Sequence, residues 1–178
     1  MQDIIILAIR EEAPSLQQYP NVFFTGVGKV NAALTVAKLI HEYKPKRIFN
    51  FGTAGGITQT GLVHCTQFVQ RDMLCMPLMP NPGQTPFETK HAIITDPTGA
   101  ICSTGDNFVT NNILDIPADV VDMEAYALAK ACELNNIKFH CYKYVTDQAD
   151  HSAGTDWQTQ VASGEPYYIK VLKDFNLL

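Results

Sequence analysis

No stretch of this 178-residue chain approaches the roughly 20 consecutive apolar residues that a membrane-spanning helix requires. The opening segment, MQDIIILAIREE, has an apolar run too short and flanks of the wrong character for a secretory leader. Basic residues are also scarce: 13 Lys and Arg stand against 18 Asp and Glu, for a formal net charge of -5, and no basic cluster occurs. A nucleic-acid binder needs a positive face to pair with phosphates, so this balance argues against that class. The chain lacks C-x-x-C pairs and low-complexity tracts, and its five cysteines (Cys65, Cys75, Cys102, Cys132, Cys141) have no His at metal-ligand spacing. An odd, scattered set fits reduced thiols in a cytoplasm. The five histidines are equally dispersed and read as ordinary core or surface residues, so neither a metal nor an organic cofactor is expected. What is plentiful is apolar side chain, 46% of residues, with a length suited to one domain over residues 1–178 and a real core.

Apolar patterning gives the expected elements. Ile4 to Ile9 is a short, continuous apolar run rich in β-branched residues, as in a strand buried on both faces. Val22 to Thr25 reads as a second strand, and Val30 to Tyr43 as a helix ended by Pro45. Ile48 to Phe51 reads as a strand entering a glycine-rich turn, Gly52-Thr53-Ala54-Gly55-Gly56. Five prolines between residues 73 and 99 predict a long loop there. Beyond it come strands at Ala100 to Ser103, Val120 to Val121 and Phe139 to Val145. A helix is expected from Met123 to Leu134, and another around Trp157 to Leu172, broken or kinked at Gly164 and Pro166. Strands alternating with helices predict a three-layer α/β/α domain around a mixed, largely parallel sheet. Ligands of such sheets sit beyond the carboxyl ends of the strands. Glu11, Glu12, Thr53, Asp106, Glu124 and Asp147 fall at such ends.

Taken singly, these residues have plain readings. Gly26-Val27-Gly28-Lys29 is not a P-loop, because Val30 occupies the Ser/Thr position, and reads as a strand-to-helix turn. Glu124 could simply complement a helix dipole, Asp147 could cap a helix, and Glu12 could be a solvated charge. Together they suit a particular chemistry. Breaking a nucleoside C–N bond passes through an oxocarbenium-like sugar; it needs an acid for the leaving base, a base for water and groups that grip the ribose hydroxyls.

Six segments in order carry a family resemblance: Ala8-Ile9-Arg10-Glu11-Glu12, Thr25 through Ala33, Asn50 through Gly56, Ser103-Thr104-Gly105-Asp106-Asn107-Phe108, Val121-Asp122-Met123-Glu124-Ala125 and Val145 through Asp150. The chain resembles the methylthioadenosine/S-adenosylhomocysteine nucleosidases of the purine nucleoside phosphorylase and nucleosidase superfamily. The resemblance implies that Asp147 protonates the N7 side of the purine and that Glu12 activates water. It assigns the ribose 2′- and 3′-hydroxyls to Glu124 and the Met123 backbone. Phe108 would stack on the purine, the Val109 backbone would bond its edge, and Thr53 would help position the water. Lys143 would stand on the substrate side, where relatives usually carry Arg.

Related phosphorylases resemble R-x-G-[ST]-C-G at the segment that here reads Asn50-Phe51-Gly52-Thr53-Ala54-Gly55. The phosphate-gripping Arg is missing and Glu12 would repel phosphate, which favours water as the nucleophile. The gap between Glu12 and Gly26 lacks an early hairpin typical of the family. Arg71, in a stretch unlike the best-known members, raises the alternative of a charged 5′ group on the substrate. A phosphorylase, a nucleosidase for AMP or another purine nucleoside, and a non-catalytic nucleoside binder stay open. The partners expected are a small-molecule purine nucleoside and, by resemblance, a second copy in a homodimer; no nucleic acid or membrane is expected.

Overall fold

The computed structural model describes residues 3–111 and 114–178. Its strands are β1 (Ile4–Leu7), β2 (Val22–Phe24), β3 (Arg47–Gly56), β4 (Leu62–Gln70), β5 (Ala92–Ile94), β6 (Ala100–Thr104), β7 (Val120–Asp122) and β8 (Lys138–Asp147). The helices are α1 (Lys29–Tyr43), α2 (Ala125–Leu134), α3 (Ala153–Gln160) and α4 (Glu165–Asp174). Two short 3-10 turns, Arg10–Glu12 and Pro14–Gln18, fill the gap between β1 and β2.

The strands form one mixed sheet in the order β2-β1-β3-β7-β6-β4-β5, with β8 pairing both β3 and β4. Since β3 also meets β7, through Gly55 opposite Val121 and Gly56 opposite Val120, the strands β3, β8, β4, β6 and β7 close into a ring. β1 and β2 extend from one side of it and β5 from the other. Alternation along the strands builds two cores. Ile4, Ile6 and Ile48 pack with Ala32, Val36 and Leu39 of α1 and with Leu128 and Ala129 of α2. Ile5, Leu7, Phe49 and Phe51 face the other way, onto Tyr168 and Leu172 of α4. This explains the unbroken apolar run in β1: both of its faces are buried, as expected for a layered α/β fold.

Three details depart from the expectation, at β3, β4 and β5. β3 does not end at Phe51; the glycine-rich segment is strand, pairing with β8 as far as Gly55 through a register shift after Ala54. β4 was not anticipated, because His64, Thr66, Gln67 and Gln70 interrupt its apolar positions. β5 lies inside the proline-rich stretch read as loop and pairs with Gln67–Val69. The C-terminal helix is broken at Gly164, as expected, into α3 and α4, and Pro166 sits in the first turn of α4. Gly164 is required there, since a Cβ would stand 2.2 Å from the Tyr168 hydroxyl.

A buried ion pair ties the ring together. Lys143 of β8 and Asp122 of β7 are 1% and 5% exposed, with Nζ and Oδ2 2.9 Å apart. Burial pulls the Lys143 pKa down, but Asp122 together with Cys141, Glu124 and Cys102 outweighs that and raises it well above the ordinary value. Burial likewise raises Asp122, and Lys143 with the Thr104 hydroxyl and the Ala125 N–H brings it below the usual range. Such a pair adds little net stability, but losing one partner strands a buried charge. Lys143→Met is therefore expected to destabilise the fold by about 3–5 kcal/mol. Adding Asp122→Asn should recover part of the loss. Urea titration of both variants checks this; a single variant as stable as wild type would contradict it.

Candidate active site

The carboxyl ends of β1, β3, β7 and β8 surround a cavity of about 310 Å³. Glu12, Thr53, Phe108, Val109, Met123, Glu124 and Asp147 all line it. The seven residues come from segments distant in sequence, so the fold assembles them.

Glu12 closes the 3-10 turn after β1. Its Oε2 accepts the backbone N–H groups of Ala8 (3.1 Å) and Ile9 (3.3 Å), and its Oε1 accepts the N–H (2.8 Å) and hydroxyl (3.0 Å) of Thr53. Four donors fix a side chain that is 3% exposed, so it is not a solvated surface charge. Gly52 eases the close seating, since a Cβ there would stand 3.1 Å from Glu12 Oε1 and crowd it. Thr53 is itself held: the indole Nε1 of Trp157, on α3, donates to its Oγ1 at 3.0 Å.

Asp147 ends β8. Its Oδ1 accepts the Ala149 N–H and its Oδ2 accepts the Thr146 hydroxyl, both at 2.9 Å. Burial raises its pKa, outweighing the lowering effect of those two bonds. Gly55 makes room for it, because a Cβ there would stand 2.9 Å from Asp147 Oδ1. The glycines that looked like a turn are thus the positions where β3 lets two acids approach its backbone.

Glu124 precedes α2 rather than lying in its first turn. The first N–H groups of the helix go to Asp122, whose Oδ2 accepts from Glu124 (3.1 Å) and Ala125 (2.8 Å). This frees the Glu124 side chain to turn into the cavity, where its Oε1 accepts the Gly28 N–H at 2.9 Å. Burial first, and the nearby Asp122 charge second, push its pKa up to about 7. Gly28 supplies that N–H from a left-handed conformation (φ 95°), which favours glycine. The Gly26–Lys29 turn therefore serves a carboxylate, not a phosphate. The Lys29 ammonium is taken by Asp72 and by Gln70 (3.2 Å).

Two sequence expectations change. Lys143 does not line the cavity; it lies behind the wall, where the buried Asp122 needs its charge. Arg71 does line the cavity, but both of its Nη atoms are spent on backbone: Nη1 donates to the carbonyls of Ser103 and Asp122, and Nη2 to those of Gly105 (3.2 Å) and Asn107 (2.6 Å). Its Nε is buried without a partner. Arg71 thereby braces the segment that leads into Phe108 and Val109 rather than presenting a free fork to an anion. Trp157 lines the cavity although no motif in the sequence marks it. It sits ten positions after Asp147 on a polar helix, and its place becomes visible only when α3 folds back along β8. Among the described residues, no group of three or more His, Cys, Asp or Glu is arranged to hold a metal ion.

Comparison with known proteins fits this geometry. A 5′-methylthioadenosine/S-adenosylhomocysteine nucleosidase of Glaesserella parasuis is 29% identical over 154 residues, covering 71% of this chain and 66% of that protein. The corresponding nucleosidase of Actinobacillus succinogenes is 27% identical over 162 residues, covering 75% and 70%. The aligned part of the chain thus spans about two thirds of the length of these relatives. Among solved structures, the S-adenosylhomocysteine nucleosidase of Streptococcus pyogenes superposes with a TM-score of 0.85 at 23% identity, over 99% of this chain and 96% of that one. The futalosine hydrolase of Helicobacter pylori gives 0.85 at 22%, over 97% and 96%. At these identities the structures share the fold. The sequence profile of the phosphorylase superfamily matches residues 16–100 and 101–166. Because that match runs through most of the chain, from the turn after Glu12 into α4, the chain belongs to the phosphorylase superfamily.

Proposed function

We propose that this chain hydrolyses the N-ribosidic bond of 5′-modified adenosines such as methylthioadenosine and S-adenosylhomocysteine, releasing adenine and the free sugar. The observation that carries this reading is the convergence of Glu12, Glu124 and Asp147 on one cavity. Among the described residues lining that cavity the sole cation is Arg71, already committed to carbonyls. A phosphorolytic enzyme needs a free cationic fork for its nucleophile. Here the equivalent of that Arg, Asn50, is 1% exposed and donates to the carbonyls of Ile6 and Phe51. The nucleosidase relatives support the same choice.

In the proposed reaction Glu12 takes a proton from water whose oxygen bonds to C1′. The C1′–N9 bond breaks, its electron pair passes into the purine, and Asp147 gives its proton to N7. The raised pKa of Asp147 suits that donation. Glu124 accepts from the 2′- and 3′-hydroxyls beside the Met123 backbone. Phe108 stacks on the purine and the Val109 backbone bonds its edge. The chain acts as a homodimer in the cytoplasm: exposed Val27, Val30 and Leu34 offer an apolar face near the cavity, and all five cysteines are free thiols.

Adenine release from methylthioadenosine, adenosylhomocysteine, adenosine and AMP tests this reading. Rapid release from the first two supports it, and no free base from any of them contradicts it. Glu12→Gln should lower kcat by about 10²- to 10⁴-fold, the range for a positioned base. Asp147→Asn should lower it by at least about 10²-fold with an unchanged melting temperature. Near-normal turnover in either variant removes that residue from its role. Glu124 binds the hydroxyls as a carboxylate, and in the free protein it is protonated below about pH 7. Thus kcat/KM should rise with pH through about 7, and Glu124→Gln should abolish that rise. An identical pH profile in the variant would contradict the assignment.

A further inference from the structure

We infer that Trp157 is a positioning residue for the water-activating base, acting through the Thr53 hydroxyl. The inference rests on the hydrolase reading and goes beyond it, to a residue outside the acid set.

A threonine hydroxyl has one proton and two acceptor lone pairs, and it rotates to suit its surroundings. On β3 the Thr53 hydroxyl has two neighbours of opposite demand. Glu12 Oε1, 3.0 Å away, can only accept when ionised. The Trp157 indole Nε1, also 3.0 Å away, can only donate. The two together leave one orientation: Trp157 gives its proton to Oγ1, and Oγ1 gives its own to Glu12. A phenylalanine ring in the same place would leave the hydroxyl free to turn.

The orientation matters because the other three donors on Glu12 are backbone N–H groups, of Ala8, Ile9 and Thr53, which cannot turn aside. Among the described residues the hydroxyl is the one rotatable donor on that carboxylate. Whatever sets its rotamer sets whether Oε1 of Glu12 keeps its second hydrogen bond, and with it the basicity that meets the incoming water. Trp157 is well placed to do so: with Gly154 and Gln158 it brings α3 to the cavity wall. Of α3 itself only Ala153 is buried, so the indole bond is a directed link from an otherwise exposed helix to the base.

The test uses Trp157→Phe, Thr53→Val and the double variant in the full chain, with kcat and KM for adenine release from methylthioadenosine. Trp157→Phe keeps an aromatic ring at the wall and removes the N–H together with part of the indole's area. It should lower kcat about tenfold, the value of one oriented hydrogen bond, and leave KM within about twofold. In the Thr53→Val background the same change should have no further effect, because its route to Glu12 is gone. Trp157 is the only tryptophan in the chain, so intrinsic fluorescence reads this contact directly. Thr53→Val should shift its emission maximum by several nanometres. If wild type is active, three results would overturn the inference: an unchanged kcat in Trp157→Phe, a rise in KM alone, which marks a wall residue, or losses that simply multiply in the double variant. An unchanged emission in Thr53→Val overturns it independently of turnover. Wild type that releases no base overturns the hydrolase reading and this inference together.

Discussion

The Asp122 carboxylate accepts hydrogen bonds from four groups in three parts of the molecule: β6, β8 and the start of α2. Thr104 is the end of β6, Lys143 belongs to β8, Glu124 precedes α2, and Ala125 begins it. The Asp122 carbonyl also accepts from Arg71 and from the Gly105 N–H. A fully buried charge tolerates such a position only when every lone pair is used and a counter-charge is in contact, and Lys143 supplies that contact. The consequence reaches the cavity. Because Asp122 takes the first helical N–H groups, Glu124 is released from helix capping and aimed inward. Because Arg71 is held on the carbonyls around Asp122, the segment leading into Phe108 and Val109 has a fixed course.

Three carboxyl groups then share one cavity without being equivalent. Glu12 is held by four donors, Asp147 by two, and Glu124 takes the Gly28 N–H beside the Asp122 charge. Burial raises Asp147, and burial with a like charge raises Glu124 to about 7. Differences of this kind are how a site divides acid, base and binding roles among chemically similar side chains. The glycines of β3 are the backbone condition for it, since a Cβ at position 52 would crowd Glu12 and one at position 55 would collide with Asp147.

Much of this was legible in the sequence, and the gaps have physical causes. β1, α1, β6 and β8 were readable because their apolar periods match their burial. β4 was not, because polar residues interrupt its apolar positions. The glycine-rich end of β3 looked like a turn because glycine permits turns and also permits close approach, and only the neighbouring acids tell which. Seven of the eight expected site residues gather at the cavity because their motifs sit at strand ends. Lys143 was misread because spacing from Asp147 gives its position in the chain but not the buried Asp122 that claims its charge. Trp157 left no motif, since its contact with Thr53 spans more than a hundred residues.

The central claim is that water, not phosphate, attacks the sugar in a cavity lined, among the described residues, by no free cation. Its most direct test is mass analysis of the sugar product formed from methylthioadenosine with and without millimolar phosphate. The account predicts free 5-methylthioribose in both conditions at equal rates. A 1-phosphorylated sugar, with turnover that rises in proportion to phosphate, would contradict it.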